Sequence, residues 1–178
     1  MTCGAERHAP YPIEQLARSA HTQFQIGFAK MTMRLMPAFD DVALEPTAEG
    51  LCILCANEMA LTAPARAVRN IHADEVTLEE PRVRLRYERE LREPVMRVQV
   101  TVDPKHVEAV IQDLIAREAT IDFVDWLHAP AVVRGEAPLR TLLGYPRVLE
   151  TLAKGTAALE MRLSRYAPLP PGPGPKAA

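Results

Sequence analysis

Six arginines fall between residues 82 and 97, at positions 82, 84, 86, 89, 92 and 97. A guanidinium is planar and offers paired N–H donors, so such a run can grip phosphate oxygens two at a time. In an extended strand, alternate side chains share a face. Arg82, Arg84 and Arg86 would then form one cationic face, with Val83, Leu85 and Tyr87 opposite. Glu88, Glu90 and Glu93 are interspersed, and the same pattern suits a solvated sheet face with local ion pairs. Arg140, Arg147 and Lys154 form a second candidate phosphate-contacting strip.

Other reactive side chains lack the company that catalysis or metal binding needs. Cys52 and Cys55 make a Cys-x-x-Cys pair, but no second pair and no histidine cluster supplies the remaining zinc ligands. On a strand their spacing sends them to opposite faces, so buried structural cysteines are expected. The histidines, at 8, 21, 72, 106 and 128, are scattered. The two serines, Ser19 and Ser164, sit in no Gly-x-Ser-x-Gly elbow. Asp40-Asp41, Asp74-Glu75 and Glu79-Glu80 read as exposed acidic turns. No acid, base and nucleophile converge, so the expectation is a protein that is not an enzyme and carries no cofactor or metal.

The elements that would position these residues read most clearly after Pro94. Val98, Val100 and Val102 alternate as in a half-buried strand. Asp103-Pro104 marks a helix start, and Val107, Val110, Ile111, Leu114 and Ile115 recur at helical spacing. Residues 120–127 and 131–137 read as two strands around a His128-Ala129-Pro130 turn. A helix over 139–153, interrupted at Gly144-Tyr145-Pro146, precedes a last strand over 155–166. The order β-α-β-β-α-β predicts a ferredoxin-like unit, an antiparallel sheet with two helices on one face. The first half fits a second such unit less sharply. Its strands are expected near 13–20, 40–44, 51–55, 75–78 and 82–87, with helices from about residue 25 and over 60–70. The fold class is therefore α+β: two tandem ferredoxin-like units over 12–88 and 93–166. A flexible start is expected over 1–11, and a Pro/Gly-rich disordered tail over 167–178, whose twelve residues hold five prolines.

Composition bounds the function. The 178 residues are 48% hydrophobic and carry a net charge of −2, which argues against a general nucleic-acid coat. Residues 1–90 hold ten basic and 13 acidic side chains, and residues 91–178 hold eleven and ten. Any contact with phosphate must therefore come from a local patch. No apolar run is long enough to cross a bilayer, and Met1 to Pro12 lacks the apolar centre of a secretory signal. Three cysteines make no disulfide framework, so a cytoplasmic setting is expected, with neither membrane nor DNA as partner.

Residues 93–168 resemble the C-terminal (fifth) domain of translation elongation factor G. The resemblance runs through Glu93-Pro94-Val95-Met96-Arg97-Val98, Ala137-Pro138-Leu139, Leu143-Gly144-Tyr145, Leu149, Leu152 and Gly155-Thr156-Ala157, and ends at Tyr166. Phe39 to Tyr87 resembles the factor's third domain, with Asn57-Glu58-Met59 at its strand-to-helix turn. Phe28 to Arg34 also resembles a strand of the fourth domain, a second register that leaves fewer residues before Pro94. None of the eight glycines forms the Gly-x-x-x-x-Gly-Lys-Ser/Thr loop that the family's GTPase requires. The resemblance implies ribosome-facing modules without the motor, a non-catalytic protein touching rRNA phosphates and ribosomal protein. The alternatives are a module that binds another protein, such as a separate GTPase, and a degenerate remnant.

Overall fold

The computed structural model of the chain describes residues 11–170. All but Tyr11 of the flexible start expected over 1–11, and most of the expected tail, lie outside those residues. The first unit runs β1 (Ile13–Ser19), α1 (Gln25–Leu35), β2 (Val42–Pro46), β3 (Leu51–Cys55), α2 (Thr62–His72) and β4 (Val76–Leu78). A 3₁₀ turn, Glu58–Leu61, leads into α2. Two short strands come next, β5 (Arg82–Val83) and β6 (Arg86–Tyr87). The second unit runs β7 (Leu91–Val102), α3 (Val107–Ala116), β8 (Thr120–Asp125), β9 (Ala131–Pro138), α4 (Leu139–Leu142), α5 (Tyr145–Leu152) and β10 (Ala158–Pro168).

Both sheets are antiparallel and have the same strand order. The first is β2-β3-β1-β4 and the second β10-β7-β9-β8. In each, the unit's first and third strands are central, and each helical connection skips one strand, as the ferredoxin-like reading requires. Alternation does the sorting in β7. Met96, Val98, Val100 and Val102 are buried while Arg97 points to solvent. Val107, Val110 and Leu114 of α3, with Leu139, Leu142, Tyr145 and Leu149 of α4 and α5, complete that core. Ile13, Ala17, Leu51, Ile53, Cys55, Ala29 and Val68 supply the core of the first unit. The expected helix over 139–153 is split where Gly144 takes φ +79°, a backbone region open to glycine at little cost.

Two expectations are corrected. Residues 82–87 do not form one strand: β5 pairs with β1 and β6 pairs with β7. The chain crosses between sheets at Arg84-Leu85, so the alternation is broken there. Arg84 and Arg86 are half-buried, and Leu85 and Tyr87 are exposed. The reason lies in what each arginine meets. The Arg84 N–H groups reach the Tyr11 carbonyl at 3.2 Å and the Glu14 carboxylate at 3.4 Å, on the first unit. Arg86 stacks on the Tyr166 ring at 3.9 Å, on the second. The tail also begins later than expected. Ala167 and Pro168 pair with Glu93 and Arg92 across β10 and β7, and Leu169 N–H donates to the Leu91 carbonyl at 2.9 Å.

One charged group is buried at the entry to the second sheet. The Glu93 side chain is only 3% exposed, and its carboxylate lies 2.9 Å from Arg140 Nε. Arg140 also makes two hydrogen bonds to Glu118, at 2.8 and 2.6 Å. Burial pushes the Glu93 carboxyl above its ordinary value, with the Arg140 charge working against that shift. Removing the guanidinium leaves a buried carboxylate without its counter-charge. Arg140→Ala should therefore cost about 3 kcal/mol, the low end for a broken buried pair because Arg140 is one-third exposed. A carboxylate whose folded value is raised binds protons more readily folded than unfolded, so it stabilises less as pH rises. The deficit of Arg140→Ala should accordingly be largest at pH 7 and shrink on acidification to pH 4.5, and Glu93→Gln should restore part of it. Urea unfolding at the two pH values checks both outcomes.

Candidate functional site

Four of the six arginine and lysine residues picked out from sequence are held by internal contacts. Arg82 pairs with Glu79 at 3.0 Å. Arg84, Arg86 and Arg140 are engaged as described above. The Arg147 and Lys154 side chains are exposed and make no hydrogen bond or ion pair among the described residues. Lys154 lies just past the end of α5 with φ +51°, away from the groove that Arg147 lines.

The open face of the second sheet is also internally neutralised. Glu136 accepts from Ser164 Oγ at 2.6 Å and pairs with Arg165 and with Arg97. The Ser164 hydrogen bond, then the Arg165 guanidinium, hold the Glu136 carboxyl below its ordinary value. Arg134 donates to Gln99 at 2.7 Å, and Arg162 lies 3.9 Å from Glu160. This face offers phosphate little unclaimed charge.

Unclaimed charge gathers instead in a groove of about 960 Å³ between the units. One wall is α2, which presents Arg66 and Arg69 three residues apart and therefore on one helix face. The other wall is the start of α5, with Gly144, Pro146 and Arg147. All three arginines are exposed and unpaired among the described residues. On the rim, Glu79 is answered by Arg18 and Arg82, while Glu80 and Glu58 have no ion-pair partner among the described residues. Three guanidinium groups flanking one groove can bind an extended anion along it.

The walls are tied across the groove. Gly144 N–H donates to Glu58 Oε2 at 2.7 Å. Gly144 caps the N-terminus of α5, where backbone N–H groups are unsatisfied and a carboxylate is favoured by the helix dipole. Asn57 fixes the turn that carries Glu58 by accepting from Ala60 N–H at 3.1 Å. Sequence reading placed Asn57-Glu58-Met59 at a strand-to-helix turn, and it is there. Arg66 and Arg69 were missed, although a signal existed: α2 holds two arginines and no carboxylate, so nothing within the helix can neutralise them. Among the described residues, no three His, Cys, Asp or Glu side chains gather as a metal site. Cys55 is buried, and burial pushes its thiol up to about 12, far from a reactive thiolate. No helix among the described residues is long and apolar enough to cross a membrane.

Comparison with known proteins agrees with the second unit's geometry. Residues 90–176 match the family described as Elongation factor G C-terminus. The carboxy-terminal half is similar to that domain. Ribosome-releasing factor 2, mitochondrial, of Danio rerio is 36% identical over 77 residues, covering 43% of this chain and 10% of that protein. Elongation factor G of Granulibacter bethesdensis is 35% identical over 78 residues, covering 44% and 11%. The chain thus spans about a tenth of the length of the curated relatives it matches. A crystal structure of a Thermus thermophilus protein superposes with TM-score 0.67 at 16% identity, covering 91% of this chain and 41% of that chain. That overlap takes in both units, so the tandem arrangement is a shared fold.

The tie between the walls is open to direct measurement. Glu58→Ala should cost about 1.5–3 kcal/mol, the range for losing a hydrogen bond to a charged group. It should also speed hydrogen exchange at the Gly144 amide, while amides in the centre of β7 keep their protection.

Proposed function

We propose that this chain is a translation-elongation-factor-like protein that acts without hydrolysing nucleotide and contacts the ribosome. The match of residues 90–176 to the elongation factor G C-terminus carries the reading. Relatives matching this domain are named elongation factor G and ribosome-releasing factor 2, which supports a role in translation. The first unit, residues 12–88, is read as a counterpart of the factor's third domain, and its β-α-β-β-α-β order supports this. The chain works by shape and charge complementarity to rRNA and ribosomal protein, in the cytoplasm. Arg66, Arg69 and Arg147 reach rRNA phosphates from the groove, and Lys154 adds a peripheral contact. Arg82 and Arg84 serve chiefly to brace the first unit, and Arg86 and Arg140 the second.

Cosedimentation with purified ribosomes tests this. Each cation that displaces counterions from phosphate adds roughly 0.7–0.9 to the slope of log affinity against log salt. Arg66→Ala/Arg69→Ala/Arg147→Ala should weaken binding at low salt and flatten that slope by about 2. Arg82→Ala/Arg84→Ala/Arg86→Ala should lower thermal stability and leave the slope unchanged. A wild-type chain that fails to sediment at low salt overturns the reading.

A further inference from the structure

The β8–β9 hairpin ends in an exposed apolar tip that the arginine groove does not explain. Leu127 is 93% exposed, Trp126 54% and Phe123 46%. The chain builds this exposure. Ile121 faces Gly135 and Phe123 faces Arg134, so Asp122 is an extra residue, a bulge in β8. A bulge reverses the facing of the residues beyond it, and here it turns Phe123 out of the core. Gly135 permits the close approach, since a Cβ there would lie 2.5 Å from the Thr120 carbonyl oxygen. Past the bulge, Asp125 sets the tip. Its carboxylate accepts from Leu127 N–H at 2.9 Å and lies 2.7 Å from His128 Nδ1. The tip is therefore pre-shaped, which lowers the entropy lost on docking.

Charge indicates what covers it. From Ala119 to Val133 there is no lysine or arginine, and Asp122 and Asp125 flank the apolar side chains. Two carboxylates repel a phosphate backbone. Arg134, on the facing strand, already lies over the Phe123 ring at 5.2 Å, which takes up a face on which a base would stack. The bulge also spoils the outer edge of β8 for adding another strand. We infer that Trp126 and Leu127 form an anchor that inserts into an apolar recess on a positively charged protein surface, namely a basic protein of the ribosome. This rests on the ribosome reading and gives the chain a second contact of opposite charge character.

The test uses the full chain and purified ribosomes. Leu127 is replaced by the photoreactive p-benzoylphenylalanine, bound, irradiated, and the adduct identified by mass spectrometry and by primer extension on rRNA. A crosslink to one basic ribosomal protein is expected. Trp126→Ala/Leu127→Ala should weaken binding at least tenfold with its salt slope and melting temperature unchanged. Asp122→Lys should weaken it further. A crosslink to rRNA, tighter binding by Asp122→Lys, or undiminished binding by the double variant overturns the anchor while leaving the ribosome reading intact. A wild-type chain that does not sediment overturns both.

Discussion

The two walls of the groove are joined by a hydrogen bond between units, from the Gly144 N–H to the Glu58 carboxylate. It joins the turn that leaves β3 to the turn that opens α5. Leu61, just past the first turn, and Tyr145, just past the second, belong to one buried apolar cluster that backs the bond. Two conditions make the bond possible. Gly144 must adopt positive φ, which exposes an N–H at the helix start, and Asn57 must hold the 3₁₀ turn that carries Glu58. With those met, α2 and α5 face each other and their arginines share a groove. Each unit alone would carry scattered surface cations worth little.

Fold and site were legible to different degrees because they rest on different ranges of the chain. The second unit was readable since its signals are local. Valines alternate through β7, Asp103 accepts from Lys105 N–H at the helix start, and Gly144 breaks the helix where expected. The first unit obeyed the same rules with weaker contrast. Residues 24–28 fit either period, yet α1 forms, secured by Gln25, whose amide donates to the Ser19 and Thr22 carbonyls.

Arg84, Arg86 and Arg140 could not be interpreted from spacing, because their partners are distant in sequence. Arg84 finds Glu14, Arg86 finds Tyr166 and Arg140 finds Glu93. Alternation predicts facing only while a strand keeps one partner. Here the partner changes from β1 to β7 within four residues, and the predicted faces reverse. Contiguity of like charge was thus a poor guide to availability. The better signal was the absence of carboxylates within α2, since a helix without acids cannot neutralise its own cations at three- and four-residue spacing.

That distinction also resolves the overall charge. A net charge of −2 fits poorly with a protein that coats RNA, but it fits one that segregates its charge. Most basic side chains on the sheet faces and edges are consumed locally, Arg97 and Arg165 on Glu136, and Arg18 and Arg82 on Glu79. Of the side chains left over, Arg66, Arg69 and Arg147 line the groove, while Asp122 and Asp125 stand beside the apolar hairpin tip. A phosphate backbone is attracted to the first and repelled by the second. A surface offering RNA and basic protein side by side would satisfy both at once, and would orient the chain as well as hold it. Bulk charge averages these patches away, which is why composition bounded the function without locating it.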